Sequence, residues 1–140
     1  MILRLAAVCE SARERPDGRV DLLGIFNELS APGFPAMQDG MTVIFLVEWE
    51  ADEAGELPLR ADMIDESGRR LLTIQGHTQV EARGADRSPP QTRLIMPLEK
   101  VVFPKPGMYR FELVAGGNVA DACSFFVRLA PDAGDPLPAS

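Results

Sequence analysis

The sequence predicts an all-β protein, an antiparallel two-sheet β-sandwich of about seven to nine strands. Three observations predict this fold class. Turn sequences recur about every ten residues, the segments between them alternate apolar and polar residues, and almost none repeats apolar residues at helical spacing. A chain of 140 residues has the length of one domain, and a domain of that size buries roughly two thirds of its unfolded surface. It can therefore form a core without disulfides or metals.

The first half of the chain begins with a strand, which an Asp-Gly turn in RPDGRV (15–20) separates from the second strand. Between the first strand and this turn, the segment CESARER (9–15) has a weak helical tendency. Seven residues are too few for a stable isolated helix, so we expect a loop or a single turn there. The centre of MTVIFLVEWE (41–50) is apolar on both faces, as in a strand that is covered on both sides. The four strands predicted in this half are 2–9, 19–28, 41–50 and 57–65.

The second half follows the same pattern, with turns at DESGRR (65–70) and PKPG (104–107). The strand after PKPG alternates Tyr109, Phe111 and Leu113 with residues of the opposite face. Five further strands are predicted at 69–75, 77–83, 91–100, 108–115 and 120–129. The predicted core consists of Leu22, Phe26, Val43, Phe45, Val47, Leu59, Leu94, Met96, Tyr109, Phe111, Phe125 and Val127.

These strands form one predicted domain over residues 1–130, followed by a proline-rich C-terminal tail at 131–140 that we expect to be flexible. Only four apolar residues separate Arg4 from Cys9, too few for the apolar region of a secretory signal. No run approaches the roughly 18 apolar residues of a membrane helix. We therefore expect a cytoplasmic protein.

The net charge of −7 argues against nucleic acid and anionic membranes as partners, because both require a basic surface. The arginines and lysines are also scattered along the chain. The sequence thus predicts an unknown protein partner or a homo-oligomer, with no nucleic acid and no membrane.

Catalytic chemistry has few candidate residues. His77 is the single histidine, and we expect it to face solvent on a strand. The sequence has no nucleophile elbow, zinc-protease or phosphate-loop motif. Cys9 and Cys123 lie on apolar positions and are expected to be buried free thiols that face one core. The chain is therefore predicted not to be an enzyme, and no cofactor is predicted.

Two acidic groups deserve comparison with calcium sites, which gather six to eight oxygen ligands. One consists of Asp52, Glu53 and Glu56, and the other of Asp62, Asp65 and Glu66. The groups flank one strand and lie roughly 25 Å apart at strand rise, so they cannot share an ion along that strand. We interpret both as solvated turns and predict no metal site.

A partner-binding loop is predicted in the segment FNELSAPGFPAMQDG, where Pro32 and Pro35 stiffen the chain around Phe34. Exposed apolar residues on a stiff loop lose little entropy on binding, so Pro32, Phe34, Pro35 and Met37 are the candidate contacts. The alternative is that Phe34 and Met37 fold back as a lid on the open end of the sandwich. Trp49 is expected in the core or at its edge.

Three segments together carry a family resemblance: LAAVCESARERPDGRVDLLGIFNEL, APGFPA and PLEKVVFPKPGMYRFEL. They resemble a family of small uncharacterised bacterial proteins, a domain of unknown function, over residues 3–129. That resemblance implies no activity, substrate or catalytic residue. PGMYRFEL is more loosely similar to a strand of immunoglobulin-like sandwich modules, a likeness that bears on fold and not on function.

The leading functional hypothesis is a non-catalytic β-sandwich module that binds a protein partner or itself. The alternative is a sandwich that binds a small ligand or carbohydrate, with calcium as a possible aid. An enzyme would require a cleft that holds His77 beside carboxylates.

Overall fold

The computed structural model describes residues 1–131, and these residues form nine strands and no helix. An all-β fold is therefore confirmed for this part of the chain. The described residues contain no helix that is long and apolar enough to cross a membrane. Of the predicted tail, all but Pro131 lies outside the described residues. The strands are β1 (Ile2–Glu14), β2 (Val20–Ile25), β3 (Glu28–Ala31), β4 (Ala36–Glu48), β5 (Gly55–Asp65), β6 (Arg70–Val80), β7 (Gln91–Phe103), β8 (Gly107–Ala115) and β9 (Asn118–Leu129).

The strands form two sheets. The four-stranded sheet has the order β2-β1-β4-β7, and the five-stranded sheet has the order β3-β9-β8-β5-β6. The prediction of purely antiparallel sheets is wrong at one place, because β3 pairs with β9 in parallel. Only Phe26 and Asn27 separate β2 from β3, so the chain crosses from one sheet to the other without reversing. The Phe26 amide donates to Val8 in the first sheet, and Asn27 accepts from Phe126 in the second.

Several predicted elements differ from the observed ones. The predicted strand 19–28 is divided into β2 and β3, where the chain changes sheets. The predicted strands 69–75 and 77–83 form a single strand, β6, because Gly76 stays in register opposite Leu59 and does not break the pairing. The predicted loop segment FNELSAPGFPAMQDG, which ends at Gly40, becomes strand β4 from Ala36 onward.

One hydrophobic core lies between the inner faces of the two sheets. Phe45 of β4 meets Phe111 of β8 with ring centroids 6.5 Å apart, and Phe103 of β7 meets Tyr109 at 4.9 Å. Of the predicted core residues, eight are buried: Val43, Phe45, Val47, Leu59, Tyr109, Phe111, Phe125 and Val127. Phe26, Leu94 and Met96 are partly buried against this core, whereas Leu22 lies outside it.

Strand β1 extends to Glu14, so the prediction of a loop or single turn at 9–15 is wrong. Pairing of β1 with β4 ends at Cys9, and beyond it β1 pairs with β2 alone as a hairpin. Through β4, Cys9 is level with Pro97 of β7. Glu14 follows Cys9 along β1, whereas Arg93 precedes Pro97 along β7, which runs parallel to β1. If both strands were straight, these two residues would lie roughly 30 Å apart at strand rise. Arg93 Nη1 nevertheless lies 3.3 Å from Glu14 Oε1. The hairpin must therefore turn back over the outer face of the four-stranded sheet.

This turned-back hairpin accounts for a second buried layer. Cys9 and Ile44 are both 0% exposed although they lie on the face opposite to the main core. The expectation that Cys9 and Cys123 share one core is therefore wrong. Only Cys123 packs against the main core, and both are free thiols.

A hydrogen bond joins two turns at one end of the five-stranded sheet, the turn between β5 and β6 and the turn that leads into β8. Asp65 Oδ1 accepts hydrogen bonds from the Ser67 hydroxyl and from the Ser67 and Arg69 amides, which confirms the predicted turn. These bonds, led by that of the Ser67 hydroxyl, lower the pKa of Asp65. Glu66 Oε1 accepts from the Met108 amide at 2.7 Å and so joins this turn to the start of β8.

Candidate functional site

The predicted partner-binding loop is a short turn between β3 and β4. Phe34 packs against the core, whereas Pro32 and Pro35 are exposed and Met37 is 57% exposed. Pro32, Pro35 and Met37 line a shallow cavity of about 190 Å³ whose inner wall includes Phe103. The structure therefore brings three of the four predicted residues to one surface and turns Phe34 inward.

Strand β2 carries the two most exposed large apolar side chains of the four-stranded sheet. Leu23 is 64% exposed and Ile25 is 62% exposed, and they lie two residues apart on one face of the strand. Val20 and Leu22, on the other face, are half-buried. Among the described residues, β2 pairs only with β1, so the backbone of its second edge is unpaired. An edge strand that exposes large apolar side chains is a template for another strand.

The hairpin that presents β2 is nearly balanced in charge. Residues 10–25 contain three arginines and four acidic residues. Arg13 lies 3.4 Å from Asp21, and Arg15 lies 2.7 Å from Asp17. The −7 charge of the chain therefore resides almost entirely outside the hairpin.

Two of the three groups considered as nucleophile or base, His77 and Cys123, lie on strands other than β1 and β2, whereas Cys9 pairs in register with Ile25 but is 0% exposed. His77 is exposed on β6, as predicted, in register with Pro58. Burial raises the pKa of the Cys9 thiol and raises that of Cys123 to about 11. Both thiols therefore stay protonated at neutral pH, which disfavours nucleophilic chemistry.

Acidic oxygens converge at one turn, between β4 and β5. Single carboxylate oxygens of Glu50, Asp52 and Glu53 lie within 4.8 Å of one another, so Glu50 takes the place of the predicted Glu56. Glu53 accepts from the Met1 ammonium and from the Glu50 amide. Although burial raises the pKa of Glu53, these hydrogen bonds lower it below its usual value. The carboxylate thus has cationic and amide partners within the protein.

The interpretation of the second acidic group as solvated is wrong for Asp62 and Asp65, which are buried. Asp62 is 0% exposed on the outer face of the five-stranded sheet. It accepts from Thr73 Oγ1 at 2.7 Å and from Arg60 Nε at 3.0 Å, and Arg70 Nε lies 3.6 Å away. The sequence signal was Arg60, which lies two residues before Asp62 and therefore on the same face of the strand.

A family described as "Family of unknown function (DUF6941)" matches residues 4–128. The resemblance drawn from the sequence to a domain of unknown function is therefore confirmed. No curated protein matches the chain. Among solved structures, the Pseudomonas fluorescens alkylpurine DNA glycosylase AlkC, bound to DNA containing an abasic site analog, is similar with a TM-score of 0.44 and 11% identity. The match covers 88% of this chain and 30% of that protein, so this chain spans about a third of its length.

This finding corrects the partner prediction. Net charge was the ground for excluding nucleic acid, and the structure that is similar at a TM-score of 0.44 is bound to DNA. Net charge describes the chain as a whole and does not determine the charge of a local surface. The exclusion of nucleic acid is therefore withdrawn. A likeness of this degree assigns no activity to this chain.

Proposed function

We propose that the chain, which belongs to the DUF6941 family of unknown function, is a non-catalytic β-sandwich module that associates with a second copy of itself through β2. The observation that carries the proposal is the exposure of Leu23 and Ile25 on an edge strand. The sandwich assignment is supported by the aromatic contacts that join the inner faces of the two sheets.

An isologous contact fits this edge. Two copies of β2 related by a twofold axis run antiparallel, so the free backbone groups of one strand face those of the other. Leu23 and Ile25 then lie beside their counterparts in a continuous sheet of eight strands, in which cross-strand apolar pairs stabilise the contact.

Charge also favours a second copy at this place. Two molecules of charge −7 repel each other, and the repulsion is weakest where the facing segments are closest to neutral. The hairpin, with three arginines and four acidic residues over 10–25, is such a segment.

Sedimentation equilibrium over rising protein concentration tests the proposal. We expect a monomer–dimer equilibrium for the wild type, and we expect Leu23→Lys or Ile25→Lys to weaken the dimer by roughly tenfold or more. Val119→Lys is the matched control, because Val119 is 62% exposed and lies on β9, away from β2. A wild type that stays monomeric, or a dimer that Val119→Lys weakens as much as Leu23→Lys does, would contradict the proposal.

Carbohydrate binding has no comparable support. Sugar-binding platforms expose aromatic rings, whereas Trp49 and Tyr109 are each 2% exposed. One observation does favour a small ligand of another kind, namely an apolar cavity between β6 and β7.

A further inference from the structure

Strands β6 and β7 end their respective sheets and face each other across a seam. The seam is closed at one end, where Thr78 Oγ1 of β6 lies 3.3 Å from Thr92 Oγ1 of β7. Trp49 Nε1 donates to the same Thr92 hydroxyl at 2.7 Å and fixes it in place. Beyond this point β6 and β7, together with β5 and β8, line an open cavity of about 160 Å³, here called the Gly76 cleft.

Aliphatic side chains from both sheets line the Gly76 cleft. They are Leu59, Ala61, Ile74, Leu94, Met96 and Leu113. Leu59, Ala61 and Leu113 belong to the buried core, whereas Ile74, Leu94 and Met96 are only partly buried. The cleft is therefore an open part of the hydrophobic core, with apolar surface that a ligand could remove from water.

Gly76 produces the empty volume. It lies opposite Leu59, so its missing side chain would have pointed to the inner face of the sheet. A Cβ atom placed on Gly76 meets no atom within 4 Å, so the position is open space. A glycine inside a strand weakens the strand and often marks a place where a ligand approaches the backbone closely.

We propose that the Gly76 cleft binds the aliphatic end of a small uncharged molecule. An engineered apolar cavity of about 150 Å³ in another protein stays dry and binds benzene, so the Gly76 cleft has room for about six carbon atoms. The aliphatic walls of the cleft carry no charge, and the guanidinium of Arg60, which also lines the cleft, is directed to Asp62 on the outer face of the sheet at 3.0 Å. A neutral polar end group faces solvent at the mouth, beside Gln75 and His77.

Amide chemical shifts during titration with n-hexanol test this proposal. We expect saturable shifts at Gly76 and at its neighbours on β6, and we expect Gly76→Val to weaken binding at least roughly tenfold. Valine suits a strand, and its side chain enters open space, so this variant keeps the fold while it fills the cleft.

Gly40→Val is the matched control, because Gly40 is another strand glycine whose added Cβ would meet no atom within 4 Å. This variant should bind n-hexanol as the wild type does. Shifts that do not saturate, that spread over exposed apolar residues such as Leu23, or that persist unchanged in Gly76→Val would overturn the proposal. The outcome is independent of dimer formation, because β2 and β6 belong to different sheets.

Discussion

At the scale of single residues, Asp62 organises the outer face of the five-stranded sheet. Its carboxylate is fully buried and has three partners: Thr73, Arg60 and Arg70. A buried charge is tolerated only when it is paired and hydrogen-bonded. The arginines cover the carboxylate with their own side chains and keep their charge near solvent, since they are 35% and 58% exposed.

Replacing this carboxylate should therefore destabilise the fold. We expect Asp62→Ala to lower the free energy of unfolding by about 1–3 kcal/mol, because Thr73 and both arginines lose their acceptor. Asp121→Ala is the control, since that side chain is 76% exposed and lies 3.5 Å from Arg110. A surface pair of this kind contributes about 0–1 kcal/mol. Urea unfolding measures both variants, and equal losses would show that burial of Asp62 has no energetic consequence.

At the scale of elements, the β1–β2 hairpin depends on a bend at Gly24. This residue has φ of +66°, a left-handed conformation that residues with side chains rarely adopt. It faces Glu10, whose side-chain carbons would lie 2.6 Å from a Cβ at this position. The bend lies near Cys9, where β1 leaves β4, and so it belongs to the region where the hairpin turns back.

We expect Gly24→Ala to lower the free energy of unfolding by about 1–2 kcal/mol, because the new Cβ is strained by the backbone and displaces Glu10. Gly40→Ala, at an open position without positive φ, should be neutral or should stabilise by about 0.4–1 kcal/mol. Thermal unfolding of the two variants makes the comparison. Equal stability of Gly24→Ala and wild type would contradict a role for this bend.

The sequence could predict strands wherever alternation was local. Tyr109, Phe111 and Leu113 show their buried face in the sequence itself, and β8 is found there. The turned-back hairpin could not be predicted in this way, because the contact between Glu14 and Arg93 spans 79 positions. The β1 half of the hairpin, residues 10–14, is mostly polar, and the residue that Glu14 contacts lies on another strand.

The candidate sites show the same limit. The sequence left two alternatives open for Phe34, a contact with a partner or a fold back onto the sandwich, and the structure packs it against the core, which offers apolar contacts that solvent does not. Leu23 and Ile25 lie within the predicted strand 19–28, and only the strand order shows that β2 is an edge. The Gly76 cleft required two sheet edges to meet, which no local pattern encodes.

At the scale of the whole molecule, the negative charge lies mostly outside the β1–β2 hairpin. The chain carries −7, and residues 10–25 contribute three arginines against four acidic residues. In a dimer formed through β2, the facing segments are nearly neutral while the bodies of the two copies repel each other over a longer distance. Salt screens the long-range repulsion more strongly than the contacts at the edge.

The proposed dimer should therefore tighten as salt is added. Raising the ionic strength from about 0.01 M to 0.1 M shortens the Debye length from about 30 Å to about 10 Å, and the repulsion between the two copies falls accordingly. We expect the dimer dissociation constant to decrease by about threefold to tenfold over this range, as measured by sedimentation equilibrium. A dissociation constant that rises with salt would show that ion pairs between arginines and acidic residues hold the copies together, and it would contradict an interface based on β2 backbone pairing and on Leu23 and Ile25.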